Sequence, residues 1–171
     1  MEIFDLFDKN RQLTGKTVER GKKPPEGLYR MVIHIAIINS ENKMLIQQRT
    51  HDKDNWCDLW DFSVGGHNLS GETSCEGAQR ELSEELGIEM DFAALRPSFT
   101  INFSTGFDDY YVIRKDIPIS DIVMQKEEVQ AVKWADREEI ISMIDSGEFI
   151  PYKKSLVDMI FEMTDSEGAH K

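Results

Sequence analysis

Residues 31–38 form the longest apolar run of the chain, interrupted only by His34. β-Branched residues fall on both odd and even positions of that run, which predicts a strand buried on both faces over residues 31–39. Ser40-Glu41-Asn42-Lys43 predicts a tight turn, and residues 44–49 return as a second strand. Phe62-Ser63-Val64-Gly65-Gly66 reads as a short strand ending in glycines. Residues 97–103 and 110–115 read as strands joined by a loop over 104–109, and residues 129–134 as another strand. Elsewhere the period is helical. Cys75, Ala78, Leu82 and Leu86 make an apolar stripe, Thr73-Ser74-Cys75-Glu76 has the form of a capping box, and Gly87 sits where a C-terminal cap belongs. A helix is therefore predicted from about residue 74, with two more over 137–146 and 153–163. Residues 1–20 alternate weakly around Asp8-Lys9-Asn10 and predict a β-hairpin or two short edge strands. Such an edge could pair two copies into a homodimer. With the Gly- and Pro-rich loop 21–27 it makes an N-terminal extension, 1–27. No repeat, low-complexity segment or linker interrupts the 171 residues, so 1–171 is expected to be one domain with a frayed polar tail over 164–171.

Charge narrows the partners. The formal net charge is -12, which argues against binding a nucleic acid polymer, since that needs a basic footprint. A small polyanionic ligand would need cations in its site. Two cysteines, Cys57 and Cys75, make no disulfide framework and are expected to be reduced thiols in a cytoplasm. Met1-Glu2-Ile3-Phe4-Asp5 lacks a basic then apolar leader, so no signal peptide is expected. The longest apolar run is too short to span a bilayer, so no membrane partner is expected.

The candidate chemistry lies on the first predicted helix. Glu81, Glu84 and Glu85 are three and four residues apart, which puts them on one face with Cβ atoms roughly 5–6 Å apart. Carboxylates that close raise one another's pKa. A hard divalent cation, Mg²⁺ or Mn²⁺, resolves the repulsion and can bridge phosphate oxygens. Gly65 and Gly66 let backbone approach a phosphate closely. An acidic helix face alone is commonly plain solvated surface. Here it stands in register with Gly66, Glu72 and Arg80.

Gly66, five residues, Glu72, seven residues and Arg80-Glu81-Leu82-Ser83-Glu84-Glu85-Leu86-Gly87-Ile88 match the Nudix box at all nine specified positions. By this motif the chain resembles the Nudix hydrolases. The resemblance implies an α/β/α sandwich, a mixed sheet between helices with the box as loop–helix–loop. It also implies Mg²⁺- or Mn²⁺-dependent cleavage of a diphosphate bond in a small nucleoside-diphosphate-linked substrate. Glu81 and Glu85 would be metal ligands, with Glu84 next, and Glu81 and Glu84 would serve the catalytic step. Arg80, unable to share the face of Glu81, would tie the helix to the loop through Glu72. A further acid often comes from outside the helix, and Asp108, Asp109, Glu127 and Glu128 are the candidates.

A narrower resemblance involves residues 56–67, Trp-Cys-Asp-Leu-Trp-Asp-Phe-Ser-Val-Gly-Gly-His, together with the opening that leads to Gly15 and Arg20. These look like isopentenyl-diphosphate isomerase and its hydrolase relatives. The isomerases carry a cysteine where Gly65 stands here, and a glutamate where this chain has Asp108-Asp109-Tyr110-Tyr111. Isomerisation needs an acid and a base on opposite faces of a carbon skeleton. A hydrolase is therefore expected, with an isomerase or a non-catalytic diphosphate sensor as alternatives. Arg49 and His67 are candidate phosphate contacts. Arg30, Gln47 and Gln48 should border the same cleft, with His34 in the core or the cleft wall. Trp56, Trp60, Phe103, Phe107 and Tyr110 could stack on a base or simply pack. Cys57 has no adjacent histidine to activate it and reads as a bystander, while Cys75 faces the helix core.

Overall fold

A computed structural model describes residues 2–53 and 55–163. The expected tail over 164–171 lies outside the described residues. Strands β1 (Ile3–Phe7) and β2 (Leu13–Glu19) form an antiparallel hairpin. Strands β3 (Arg30–Ile38), β4 (Met44–Arg49), β5 (Trp60–Asp61) and β6 (Val64–His67) precede helix α1 (Ser74–Leu86). Strands β7 (Phe99–Phe103), β8 (Gly106–Arg114) and β9 (Val129–Ala135) follow, then helices α2 (Arg137–Ser146) and α3 (Lys154–Glu162).

β3 to β9 make one seven-stranded mixed sheet. β3 runs parallel to β8 along its whole length, from Arg30↔Gly106 to Ile38↔Arg114, and the other pairings are antiparallel. β3 meets β4 only at Ile38↔Met44. From there the neighbours differ. β6 takes Val32 to Ile35 of β3, while β5 and β9 take β4. The two-residue period of β3 divides its side chains between two cores. Ile33, Ile35 and Ile37 pack with Ala78, Leu82 and Leu86 of α1. Ala36 and Ile38 pack with Ile140 and Met143 of α2 and Val157 and Ile160 of α3. This is the expected α/β/α sandwich. Burying each large apolar side chain contributes roughly 1.5–3 kcal/mol.

α1 starts and stops on local signals. The Thr73 side chain accepts from the Glu76 N–H, and the Glu76 side chain answers at Thr73 N. Gly87 closes the helix in the left-handed conformation, φ 65°, donating to Leu82 and Ser83 carbonyls.

Two expected elements are corrected. The strand expected over 62–66 begins only at Val64, as β6, and Phe62 and Ser63 part it from β5. Side chains replace the ladder at that break. Ser63 Oγ donates to Leu45 O at 2.6 Å and accepts from Ile37 N at 2.8 Å, while Asp61 accepts from Phe62 N. The loop over 104–109 shrinks to a turn at Ser104 and Thr105, because β8 begins at Gly106. Asp108 and Asp109 look like loop residues only until their partners are known. Asp109 is 0% exposed and held by Arg11 of the β1–β2 turn. Among the described residues, no helix is long and apolar enough to cross a membrane.

Candidate active site

Glu81, Glu84, Glu85, Arg80, Arg49, Gly65, Gly66 and His67 all line one cleft of about 440 Å³. β6 supplies Gly65 to His67, α1 supplies Arg80 and the three acids, and β4 supplies Arg49. The carboxylate face turns away from the Leu82 stripe, as helical spacing requires.

Glu85 is 4% exposed, and its Oε2 accepts from Gln47 Nε2 at 2.8 Å. Burial, then the charge of Glu81, pushes its pKa up to about 8. Glu81 accepts from the His67 N–H at 3.3 Å, and burial raises its pKa against the opposing pull of Arg80. Glu84 sits at the rim, its side chain 51% exposed. Among the described residues, no three His, Cys, Asp or Glu side chains are arranged to hold a metal ion.

Arg80 pairs with two of these acids, and here the expectation from spacing is corrected. Its Nε and Nη2 hold the Glu72 carboxylate at 2.7 and 3.0 Å, and Nη2 also reaches His67 O at 3.0 Å, so the tie to the loop is made. Yet Nη1 reaches back over the acidic face, 3.1 Å from Glu81 and 3.0 Å from Glu84. The Cβ directions of neighbouring helical residues diverge, but the long arginine stem spans the gap. The hydrogen bond to Glu72 leads in raising the Arg80 pKa, so the guanidinium stays charged.

His67 stacks on Phe4 of β1, with ring centroids 4.9 Å apart. Burial, then nearby Arg30, lowers its pKa to about 4, so it is neutral at pH 7. His34 also lines the cleft, its Nε2 3.1 Å from Asp108 Oδ1. Burial disfavours its charge, but Asp108, with Asp61 and Glu85 adding to it, raises its pKa on balance. Of the acids expected from outside the helix, Glu128 lines the cleft and pairs with Lys53, whose pKa burial lowers. Asp108, Asp109 and Glu127 are not among the lining residues. Trp56 stands in the wall, 51% exposed. Trp60 lies under Lys133 at 4.8 Å, Phe107 and Tyr110 are buried, and Phe103 is off the lining. Gln47 holds Glu85 from behind, whereas Gln48 turns to Asp58 O. Neither cysteine lines the cleft. Sequence reasoning missed Glu2, Lys53, Asp61 and Tyr152, which line the cleft from the N-terminus, the β4–β5 loop, β5 and the approach to α3. No local periodicity marks them.

Gly66 has a steric role. A Cβ there would collide with the Glu81 carboxyl group. Gly66→Ala is expected to displace Glu81 and lower turnover by roughly a hundredfold, the scale of a misplacement near 1 Å. A steady-state assay beside a thermal melt checks it. An alanine variant with full activity would show that the position of Glu81 does not matter.

A mixed sheet between helices, with a glycine turn and an acidic helix forming one cleft, defines the Nudix class. The NUDIX domain matches residues 28–155, and the chain belongs to that family. It is 44% identical to an uncharacterized Nudix hydrolase of Listeria monocytogenes over 99% of each chain. It is also 28% identical to an isopentenyl-diphosphate Delta-isomerase of Pectobacterium atrosepticum, over 79% of this chain and 76% of that one. Among solved structures, the DR0079 protein of Deinococcus radiodurans superposes with a TM-score of 0.75, at 24% identity, over 95% of this chain and 99% of that chain.

Proposed function

We propose that this enzyme cleaves a diphosphate bond in a nucleoside-diphosphate-linked substrate with the help of Mg²⁺ or Mn²⁺. One observation carries the reading. Buried Glu85 and half-buried Glu81 share a cleft with Arg20, Arg49 and Lys53. Cations there suit a polyanion, and the acids suit a metal. The donor chemistry suits a hard divalent ion, since two carboxyl groups line the cleft beside a glycine whose missing side chain leaves room for Glu81, and only the third acid, held by Arg80, must move to join them. Glu81 and Glu85 would hold the ion, with Glu84 joining as its pair with Arg80 opens. When bound, the ion neutralises phosphate charge and acidifies water.

The chain's own residues do the rest. Arg49, Lys53 and Arg20 take phosphate oxygens, and neutral His67 offers one further hydrogen bond. Arg80 stays on Glu72 and holds the acidic face of α1 against the glycine turn. A carboxylate of that face, Glu81 or Glu84, accepts the proton of the attacking water. The water oxygen bonds to phosphorus, the bridging P–O bond breaks, and two phosphorylated fragments leave.

A panel of nucleoside-diphosphate-linked compounds and isopentenyl diphosphate, with Mg²⁺, Mn²⁺ or chelator, tests this. The expected result is metal-dependent release of phosphate monoesters from members of the nucleotide set. Allylic product from isopentenyl diphosphate without phosphate release would replace the reading with isomerase. Binding without turnover of any diphosphate would replace it with a sensor.

A further inference from the structure

One carboxylate in the cleft lies outside the Nudix box and has half its bonding capacity unused. Asp61 ends β5 and is 3% exposed. Its Oδ1 accepts from Phe62 N at 2.8 Å and from the Tyr152 hydroxyl at 2.9 Å. Its Oδ2 faces Arg49 Nη1 only at 3.8 Å, beyond hydrogen-bond reach. The space beside Oδ2 exists because residue 65 has no side chain. A Cβ on Gly65 would lie 3.7 Å from Asp61 Oδ2 and 3.1 Å from His34 Nδ1. His34 Nδ1 is itself buried without a hydrogen-bond partner. Asp61, Gly65, His34 and Tyr152 all line the cleft. The Asp61 Oδ2 acceptor, which makes no hydrogen bond, and the buried, unpartnered His34 Nδ1 border one recess, and two open polar atoms at a cleft wall suit a partner that arrives with the ligand.

The chemistry of that partner follows from the acceptor. A phosphate oxygen offers no proton and carries the wrong charge. An isoprenyl chain offers no polar group. A hydroxyl offers a proton. Its position along the substrate follows from the neighbourhood, since Gly65, beside Asp61 Oδ2, precedes Gly66, which lies against the carboxyl group of Glu81, one of the acids proposed to hold the diphosphate's metal. The donor must therefore sit close to the diphosphate, where a sugar lies and a base does not. Resting on the diphosphatase reading above, we propose that Asp61 accepts a hydrogen bond from a hydroxyl of the sugar esterified to the diphosphate, in a recess kept open by Gly65 beside His34. A side chain at position 65, such as the cysteine of the isomerases it resembles, would fill that recess. The same residue then separates sugar-linked from isoprenyl diphosphates.

The test compares wild type, Asp61→Asn and Gly65→Ala against ADP, 2′,3′-dideoxy-ADP and isopentenyl diphosphate in Mg²⁺. Affinity is read as KM where the compound is hydrolysed and as a calorimetric Kd where it is not. Asp61→Asn keeps an oxygen for Phe62 and Tyr152, and Gly65→Ala carries the test should the first variant fail to fold. Wild type is expected to favour ADP over the dideoxy compound by about tenfold or more, the scale of a lost buried hydrogen bond. Both variants should bring the ratio near one, while the weak affinity for isopentenyl diphosphate stays level in Asp61→Asn. A wild-type ratio near one, a ratio that survives the substitutions, or no measurable ADP binding overturns the proposal. ADP bound with the expected preference, with no member of the nucleoside-diphosphate-linked panel hydrolysed, would uphold the recess and sink the diphosphatase reading alone.

Discussion

Replacing Glu85 by Gln is expected to cut diphosphate hydrolysis roughly a hundredfold to a thousandfold and to stabilise the metal-free protein at alkaline pH. The two effects share one cause. Glu85 is buried beside Glu81, and its carboxyl group keeps its proton in the fold up to about pH 8. Unfolded, it ionises near its ordinary value of 4.5. Between those values the folded state binds more protons than the unfolded state, so the stability of the metal-free protein falls as pH rises, by roughly a few kcal/mol in all. Above about pH 8 both states are ionised at this site and the loss levels off. Glutamine carries no charge and removes that slope. It can also bond the Gln47 amide reciprocally, because Gln47 Oε1 is buried without a partner. Mg²⁺ should restore the wild type at pH 9 and leave the variant unmoved. Melts at pH 5.5 and 9, with Mg²⁺ or chelator, measure this. An identical pH slope in both proteins would remove Glu85 as its origin, and full activity in Glu85→Gln would remove it from the metal site.

Arg11→Met should produce the largest loss of stability outside the two cores, about 2–4 kcal/mol. Arg11 Nη1 and Nη2 donate to the two oxygens of Asp109 at 3.0 and 2.7 Å, and its guanidinium lies 5.3 Å from the Phe107 ring centre. Asp109 has no exposure to water, so losing Arg11 strands a buried carboxylate. Ser74 and Thr100 still donate to it at 2.7 and 2.5 Å, which keeps the loss below that of a wholly abandoned charge. Adding Asp109→Asn should recover most of the stability, since the buried charge is then gone. The same pair fastens the β1–β2 hairpin to the sheet, and that hairpin brings Arg20 to the cleft. KM should therefore rise in Arg11→Met, in parallel with a lower urea midpoint. An urea midpoint equal to wild type would show that the pair contributes nothing net.

The catalytic helix was legible because each of its determinants is local. Thr73 and Glu76 cap one end, Gly87 the other, and the acids and the Leu82 stripe separate by helical period alone. The strands were legible where alternation or a continuous apolar run marked them, as in β3. Where the ladder is interrupted by a side chain, as at Ser63, or polar residues enter a strand, as at Asp108 and Asp109, pattern misled. In each case the missing information was a partner far away in the chain.

From sequence alone came the family's motif, the sandwich and the side of α1 that carries the acids, because residues three or four apart on a helix have no freedom to choose their neighbours. Tertiary structure alone decided how those acids are poised. It buries Glu85 against Gln47, draws Glu84 to Arg80, brings Lys53, Asp61 and Tyr152 into the cleft, and joins Arg11 to Asp109 across 98 residues. Burial and long-range pairing depend on how sheet and helices close over one another, and no periodicity within a segment encodes that closure.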